Sequence, residues 1–221
     1  MVVSLALALI ASSCGDSSTG SEVLEIVDLP AVDRTGSVSL EEALAARESI
    51  RDFADRPLTL DEIGQLLWAA QGVTRSAGGR TNPSAGGLYP LEVYLVTESG
   101  LFHYLPDGHR AERLAEADLR TRLSRAAVGQ EAVRQAPAVL VVCGVFARTE
   151  ERYGDRATRY VHLEAGHVGQ SLLLQAVALG LGGVPIGAFD DDAVRTLLGL
   201  PSDHEPLYLI PIGHPVSVSQ G

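Results

Sequence analysis

Lysine is absent from the chain, so all 17 of its fixed cations are arginines, set against 28 aspartates and glutamates for a formal net charge of −11. That balance argues against a nucleic-acid partner, because neutralising phosphates takes a surplus of basic side chains. It also makes each cation worth locating, since guanidinium is a planar fork suited to bidentate phosphate contacts. Cysteine is almost absent. Cys14 and Cys143 form no CxxC pair and no metal-ligand spacing, and Cys143, inside AVLVVCGVF, reads as a small buried thiol. The opening MVVSLALALIASS is an apolar run too short to span a bilayer, and it matches the apolar region of an export signal. With 221 residues and 46% hydrophobic content, the sequence predicts one compact domain.

The densest concentration of turn chemistry is RTNPSAGGLYPLEVYLV, from Arg80 to Val96. Asn-Pro, Gly-Gly and Tyr-Pro crowd into a loop that runs straight into an alternating strand. Gly86 and Gly87 can take positive φ and admit something flat close to the backbone, and Pro83 and Pro90 stiffen either side. The loop holds a ligand or simply turns the chain into a strand.

Around it the periodicities are clear. Ser39-Leu40-Glu41-Glu42 and Thr59-Leu60-Asp61-Glu62 are capping boxes that open helices ending near Arg47 and Gly72. Between those helices Arg47, Ser49 and Arg51 alternate: on an extended backbone they form a phosphate clamp, and otherwise a solvated turn. LEVYLVT and LFHYL read as strands of a three-stranded meander, residues 111–135 as helical, and Ala136 to Phe146 as a central strand buried on both faces. From about Thr158 to Leu179 the chain predicts a helix apolar almost all round, buried within the domain or against a second copy. Glu164 and His167 share a face of it, as a hydrogen-bonded buried pair or as half of a metal site lacking its matching set. GLGGVPIGAFD is a second glycine-rich loop, and the three aspartates beginning the next helix would repel an anion, so this loop suits a flat neutral group. EPLYLIPIGHP closes the sheet.

Taken in order, the arginine-serine-arginine segment, LLWAAQG, PSAGGLYP-LEVYLV, the long apolar helix and GLGGVPIGAFD resemble the FMN-dependent nitroreductase family. Within it they look like the branch of SagB-type, or thiazole/oxazole-forming, dehydrogenases, and the resemblance covers about residues 38 to 215. It implies an α+β fold: a mainly antiparallel sheet flanked by helices, with a long buried helix at a homodimer interface. It implies FMN as cofactor, with Arg47 and Ser49 on its phosphate and Arg51 near the ribityl chain and pyrimidine edge. Pro83, Ser84, Ala85, Gly86 and Gly87 would line the ring from the second subunit, and Pro185, Ile186, Gly187 and Ala188 would cover its other face, with the Gly187 amide aimed at flavin N5.

The implied activity is ping-pong hydride transfer at N5, from NAD(P)H to a small organic acceptor such as a nitro compound or quinone. No side chain is assigned as a nucleophile and no metal is expected. Two other readings stand beside it: a SagB-type dehydrogenase oxidising a small or peptide-derived substrate, and a non-catalytic flavin-binding surface protein. Where azoline-oxidising relatives carry Lys-Tyr, this chain has Arg152-Tyr153, and it ends in PVSVSQG where many relatives carry a basic tail. Residues 1–22 resemble a lipoprotein signal and polar tether, with acylation of Cys14 as the chain's membrane contact, which places the 23–221 domain at a bacterial cell envelope; without that processing it is cytoplasmic.

Overall fold

The computed structural model describes residues 23–216, so the signal and tether reading of residues 1–22, Cys14 included, lies outside the described residues. Both capping boxes form. Ser39 Oγ accepts the Glu42 N–H at 3.2 Å and the Ser39 N–H donates to Glu42 Oε2 at 2.8 Å, opening α1 (Leu40–Ala46). Thr59 and Glu62 repeat the exchange at 3.2 and 2.6 Å to open α2 (Leu60–Gln71). Each reciprocal cap contributes about 1 kcal/mol and satisfies donors that would otherwise be orphaned. Arg47 and Gly72 cap the C-termini, as their positions predicted.

Seven antiparallel strands make one sheet in the order β1 (Glu25–Asp28), β4 (Arg110–Ala115), β3 (Gly100–Leu105), β2 (Leu91–Thr97), β5 (Ala138–Gly144), β7 (Glu205–Gly213), β6 (Gly182–Gly183). β5 is central, and all of its residues are buried, which is why it reads as an unbroken apolar run. The remaining helices are α3 (Arg120–Ala126), α4 (Glu131–Gln135), α5 (Ala147–Tyr153), α6 (Ala157–Ala178) and α7 (Asp191–Leu198). The sheet carries a core on each face. On one, Leu66 and Leu67 of α2 and Val161, Val168 and Leu172 of α6 pack on Leu91, Val93, Leu140 and Ile210. On the other, Leu123, Val133, Val194 and Leu198 from α3, α4 and α7 pack on Tyr94, Val96, Val141 and Leu209. The fold is α+β, an antiparallel sheet with flanking helices, as expected.

Three expectations need correction. Residues 111–135 are not helical throughout: Arg110–Ala115 form β4, because pairing with β3 on one side and β1 on the other overrides the helix propensity of RAERLA. α6 is not buried on every side within one chain. Val161, Ala165, Val168, Leu172 and Ala176 face the core, while Leu163 is 56% exposed and Gly166, His167 and Gln170 are exposed with it. Glu164 and His167 do not pair. Glu164 is buried, His167 is exposed, and Glu164 Oε1 has no hydrogen-bond partner. Among the described residues no helix is long and apolar enough to cross a membrane.

Candidate functional site

The segment after α1 lies along the sheet edge. Ser49 bridges Gly183 in parallel and the Ile50 N–H donates to the Gly183 carbonyl at 3.1 Å. Farther on, Ala54 N–H reaches the His214 carbonyl at 2.8 Å, and Val216 N–H the Asp52 carbonyl at 3.3 Å. Close approach at β6 needs glycine. A Cβ on Gly182 would stand 2.5 Å from Ile50 Cγ1, and one on Gly183 would stand 2.8 Å from the Pro211 carbonyl oxygen. With Ile50 turned onto the glycines, Ser49 and Arg51 are exposed and Arg47 half-buried. The side chains of Arg47, Ser49 and Arg51 make no hydrogen bond or ion pair among the described residues.

Beyond β6 the second glycine-rich loop leaves the sheet. Ile186 is buried and bridges Leu209, so it offers its main chain rather than its side chain to a ligand. Pro185, Gly187 and Ala188 are exposed, and a Cβ on Gly187 would meet nothing within 4 Å. Gly187 opens on a cavity of about 370 Å³ shared with His162 and Ala165 of α6, Phe189, Asp191 and Tyr208.

The first glycine-rich loop is built quite differently. Its ends are tied by the Arg80 N–H, which donates to the Tyr89 hydroxyl at 3.1 Å, and by the Arg80 guanidinium, 4.6 Å from the centre of the Tyr89 ring. Arg80 Nη1 donates to Gln71 Oε1 at 2.9 Å. Buried Asn82 donates to the Ala69 and Ala70 carbonyls at 3.0 and 2.7 Å and accepts from the Ser171 hydroxyl at 2.5 Å. Ser84 Oγ accepts the Tyr89 N–H at 2.8 Å, which holds Tyr89 at φ +47°, a costly conformation for an aromatic residue. α5 grips the loop from outside through two arginines one turn apart. Arg148 Nη1 donates to the Tyr89 carbonyl at 3.2 Å and Arg152 Nη1 to the Gly86 carbonyl at 3.5 Å. Gly86, at φ +65°, is where Arg152 and Tyr153 converge: an added Cβ would lie 2.9 Å from each side chain's tip.

Two carboxyls near this loop, buried Glu164 and half-buried Glu92, have opposite electrostatics. Glu164 is raised to about 7 by burial, against the pull of the Ser84 hydroxyl and the Arg80 charge. Burial also pushes Glu92 upward, but hydrogen bonding and charge from His103 and Arg148 outweigh it and hold Glu92 at about 2. Its oxygens lie 2.7 Å from His103 Nε2 and 2.5 Å from Arg148 Nη2. The Tyr94 ring stacks on His103, and its hydroxyl meets His204 Nδ1 at 2.8 Å. Burial raises the Tyr94 hydroxyl and the Cys143 thiol well above their ordinary ranges, so neither is a ready nucleophile.

Of the residues singled out in the sequence, Arg47, Ser49 and Arg51 thus come together with the strand that leads into Pro185–Ala188. Among the described residues Pro83–Gly87 make no hydrogen bond or ion pair with either group, and α6 meets both sides: Ser171 bonds Asn82 at the first loop, while Leu173 packs near Gly183. Ser84 points inward to Tyr89, while Pro83, Gly86 and Gly87 are exposed and Ala85 is half-buried. Sequence reasoning missed Arg80, Asn82, Glu92, Arg148 and His162. The one available signal was Arg80 and Tyr89 flanking the loop symmetrically. Among the described residues no group of three or more His, Cys, Asp or Glu side chains could hold a metal ion.

Residues 44–214 match the Nitroreductase family. A Methanocaldococcus jannaschii protein named as a nitroreductase is 39% identical over 196 residues, covering 86% of this chain and 96% of its own. At lower identity, a Bacillus subtilis protein named FMN reductase, NAD(P)H, matches at 26% over 193 residues, 80% of this chain and 66% of its own. The Escherichia coli microcin B17-processing protein matches at 29% over 133 residues, 55% of this chain and 48% of its own. Among solved structures, a Ralstonia eutropha protein named as a nitroreductase superposes with a TM-score of 0.79 at 33% identity, covering 90% of this chain and 92% of its own.

Proposed function

The chain belongs to the nitroreductase family, and from that premise we propose that it is an FMN-dependent oxidoreductase passing electrons from NAD(P)H to a small organic acceptor. The observation that supports this reading is the Ser49–Gly183 pairing, which joins the Arg47–Arg51 segment to the strand leading into open Gly187; Arg47, Ser49 and Arg51 would there form a clamp of two guanidiniums and a hydroxyl. Arg47 and Ser49 would hold the phosphate, and Arg51 the ribityl chain and pyrimidine edge. The main chain at Pro185, Ile186, Gly187 and Ala188 would meet one face of the ring. FMN, once bound, supplies two-electron chemistry by hydride exchange at N5. The protein's share is to bind it, orient it against a second substrate in the Gly187 cavity and limit water there.

The other face of the ring would be covered by Pro83–Gly87 of a second copy. Two features support that arrangement: the loop makes no hydrogen bond with the Arg47–Arg51 segment among the described residues, and α6 leaves Leu163 exposed and Leu174 and Val177 half-buried. A substrate-oxidising, SagB-type dehydrogenase is the second reading, favoured by the convergence of Arg152 and Tyr153 on Gly86 and by the match to the microcin-processing protein. Arg152 cannot release a proton as a lysine can, which weighs against azoline oxidation. Residues 1–22 are read as signal and tether, with acylation of Cys14 tested by mass spectrometry of the cell-derived protein.

The deciding experiment is a visible absorption spectrum of residues 23–221 followed by anaerobic NADH or NADPH. Flavin bands that bleach support the reductase. Bands that stay turn the assignment to a substrate-oxidising or binding role. No bands after incubation with excess FMN would overturn the cofactor assignment of Arg47, Ser49 and Arg51.

A further inference from the structure

The cavity onto which Gly187 opens encloses about 370 Å³ and carries one fixed charge, the carboxylate of Asp191; among the described residues no arginine lines it. Three aspartates stand at the start of α7, and the helix itself uses two of them. Asp190 Oδ1 accepts the Ala193 N–H at 2.9 Å as the N-terminal cap, and Asp192 pairs with Arg195. Asp191 is exposed and makes no hydrogen bond or ion pair among the described residues, and it is the one of the three that lines the cavity.

Two rings from other elements line the same space, and packing rather than hydrogen bonding fixes them. His162 of α6 stands edge-on to Phe146, with ring centres 5.6 Å apart and planes at 75°. Tyr208 of β7 lies against α6 at Gly169, where an added Cβ would meet its Cε2 at 3.7 Å. Neither the imidazole nor the phenol has a hydrogen-bond partner among the described residues, so both polar ends are open to a ligand. Phe189 and Pro206 contribute apolar wall. The volume lies near the lower end of small-molecule pockets, enough for about one or two rings. Such a lining suits a flat body with a polar substituent. It penalises an anion, because a negative charge brought beside Asp191 finds no counter-ion to offset it.

We propose that this cavity is a binding site for an uncharged aromatic ring carrying a hydroxyl or carbonyl oxygen, held by His162 and Tyr208, and that Asp191 sets its selectivity by excluding anionic molecules of the same shape. The role of that ring as electron acceptor rests on the FMN reading; its binding and the charge selection do not.

The test titrates 4-hydroxybenzamide and 4-hydroxybenzoate, which share a shape and differ in charge, into the flavin-free protein at about pH 7, where the benzoate is ionised. Binding is followed by calorimetry and by the NMR signals of the His162 ring, assigned through their loss in His162→Gln. The amide should move those signals and bind about tenfold more tightly than the benzoate. Asp191→Asn should bring the two affinities to within about threefold by tightening the benzoate. Asp192→Asn removes the same charge from the same turn but outside the lining, and should leave the preference as it is. Tyr208→Phe should weaken the amide about fivefold. Equal affinities in the unmodified protein, an amide that leaves the His162 signals unmoved, or the same narrowing in Asp192→Asn as in Asp191→Asn would overturn the proposal. Parallel addition of FMN and then NAD(P)H separates the two readings. If the charge selection is as described while FMN fails to bind, the cofactor assignment fails and the cavity site stands. If FMN binds and is reduced while the amide does not bind, the reverse holds.

Discussion

Two stretches frame the candidate site, and they are held in opposite ways. Residues 80–89 are fixed by side chains at nearly every step: Arg80, Asn82, Ser84 and Tyr89 from within, and Gln71, Arg148 and Ser171 from outside. Residues 47–51 and 183–186 are held by main-chain bonds and glycine contacts, leaving Arg47, Ser49 and Arg51 without a side-chain partner among the described residues. A side chain spent on structure is not available to a ligand. The first stretch is thus a finished wall that can present only its main chain and small residues, and the second is a set of unpaired donors that a phosphate would complete.

This contrast can be broken most strongly through pH, because the two carboxyls behind the wall should act with opposite sign. Glu92 sits at about 2 in the folded chain, below its ordinary value of 4.5. Its stabilisation is therefore complete above about pH 4.5 and lost as the pH falls toward 2, a change of roughly 3 kcal/mol. Glu164 is raised to about 7. Its neutral form costs nothing below about pH 4.5, and as the pH climbs to 7 and beyond the unfolded chain gains roughly 3 kcal/mol by releasing that proton first. Denaturant unfolding across pH should show Glu92→Gln flattening the acidic limb and Glu164→Gln flattening the neutral one. A shared slope in both variants would remove the distinction.

Next in size, Asn82→Ala strips four hydrogen bonds from a buried site and leaves the Ala69 and Ala70 carbonyls without that donor. A loss of roughly 2 kcal/mol is expected in chemical denaturation. Arg47→Ala should do the converse. FMN affinity should drop tenfold or more, about 1.4 kcal/mol by fluorescence titration, with unfolding stability within about 0.5 kcal/mol of the unmodified chain. The smallest effect belongs to Arg152→Ala, an exposed side chain with one 3.5 Å contact, for which less than about 0.5 kcal/mol of stability should be lost. A stability loss at Arg47 as large as that at Asn82 would mean that the clamp is structural after all.

What the sequence made legible and what it hid divide along similar lines. Local rules were readable: both capping boxes, the stop at Gly72 and the buried run of β5. These depend on neighbours a few residues away. β4 was hidden because its strand character comes from partners on both sides rather than from RAERLA itself. Glu164 could be picked out as a polar residue on an apolar helix, but its burial without a partner for Oε1 could not, since the nearer His167 is exposed and the packing around Glu164 comes from distant segments. Asn82 reads as a turn residue before a proline. Its anchoring of the loop to α2 and α6 emerges only when those helices are packed together.

The order of the sheet decides where anything attached to this chain would stand. β1 begins at Glu25 on one edge, while β6, against which the arginine segment lies, is the other. Six interstrand spacings at about 4.8 Å each put roughly 29 Å between those edges. Val216, by contrast, is hydrogen-bonded to Asp52, one residue past the clamp. A tag, tether or solid support joined ahead of Val23 would stand at the sheet edge opposite residues 47–51, whereas the same addition after Val216 would begin beside Asp52.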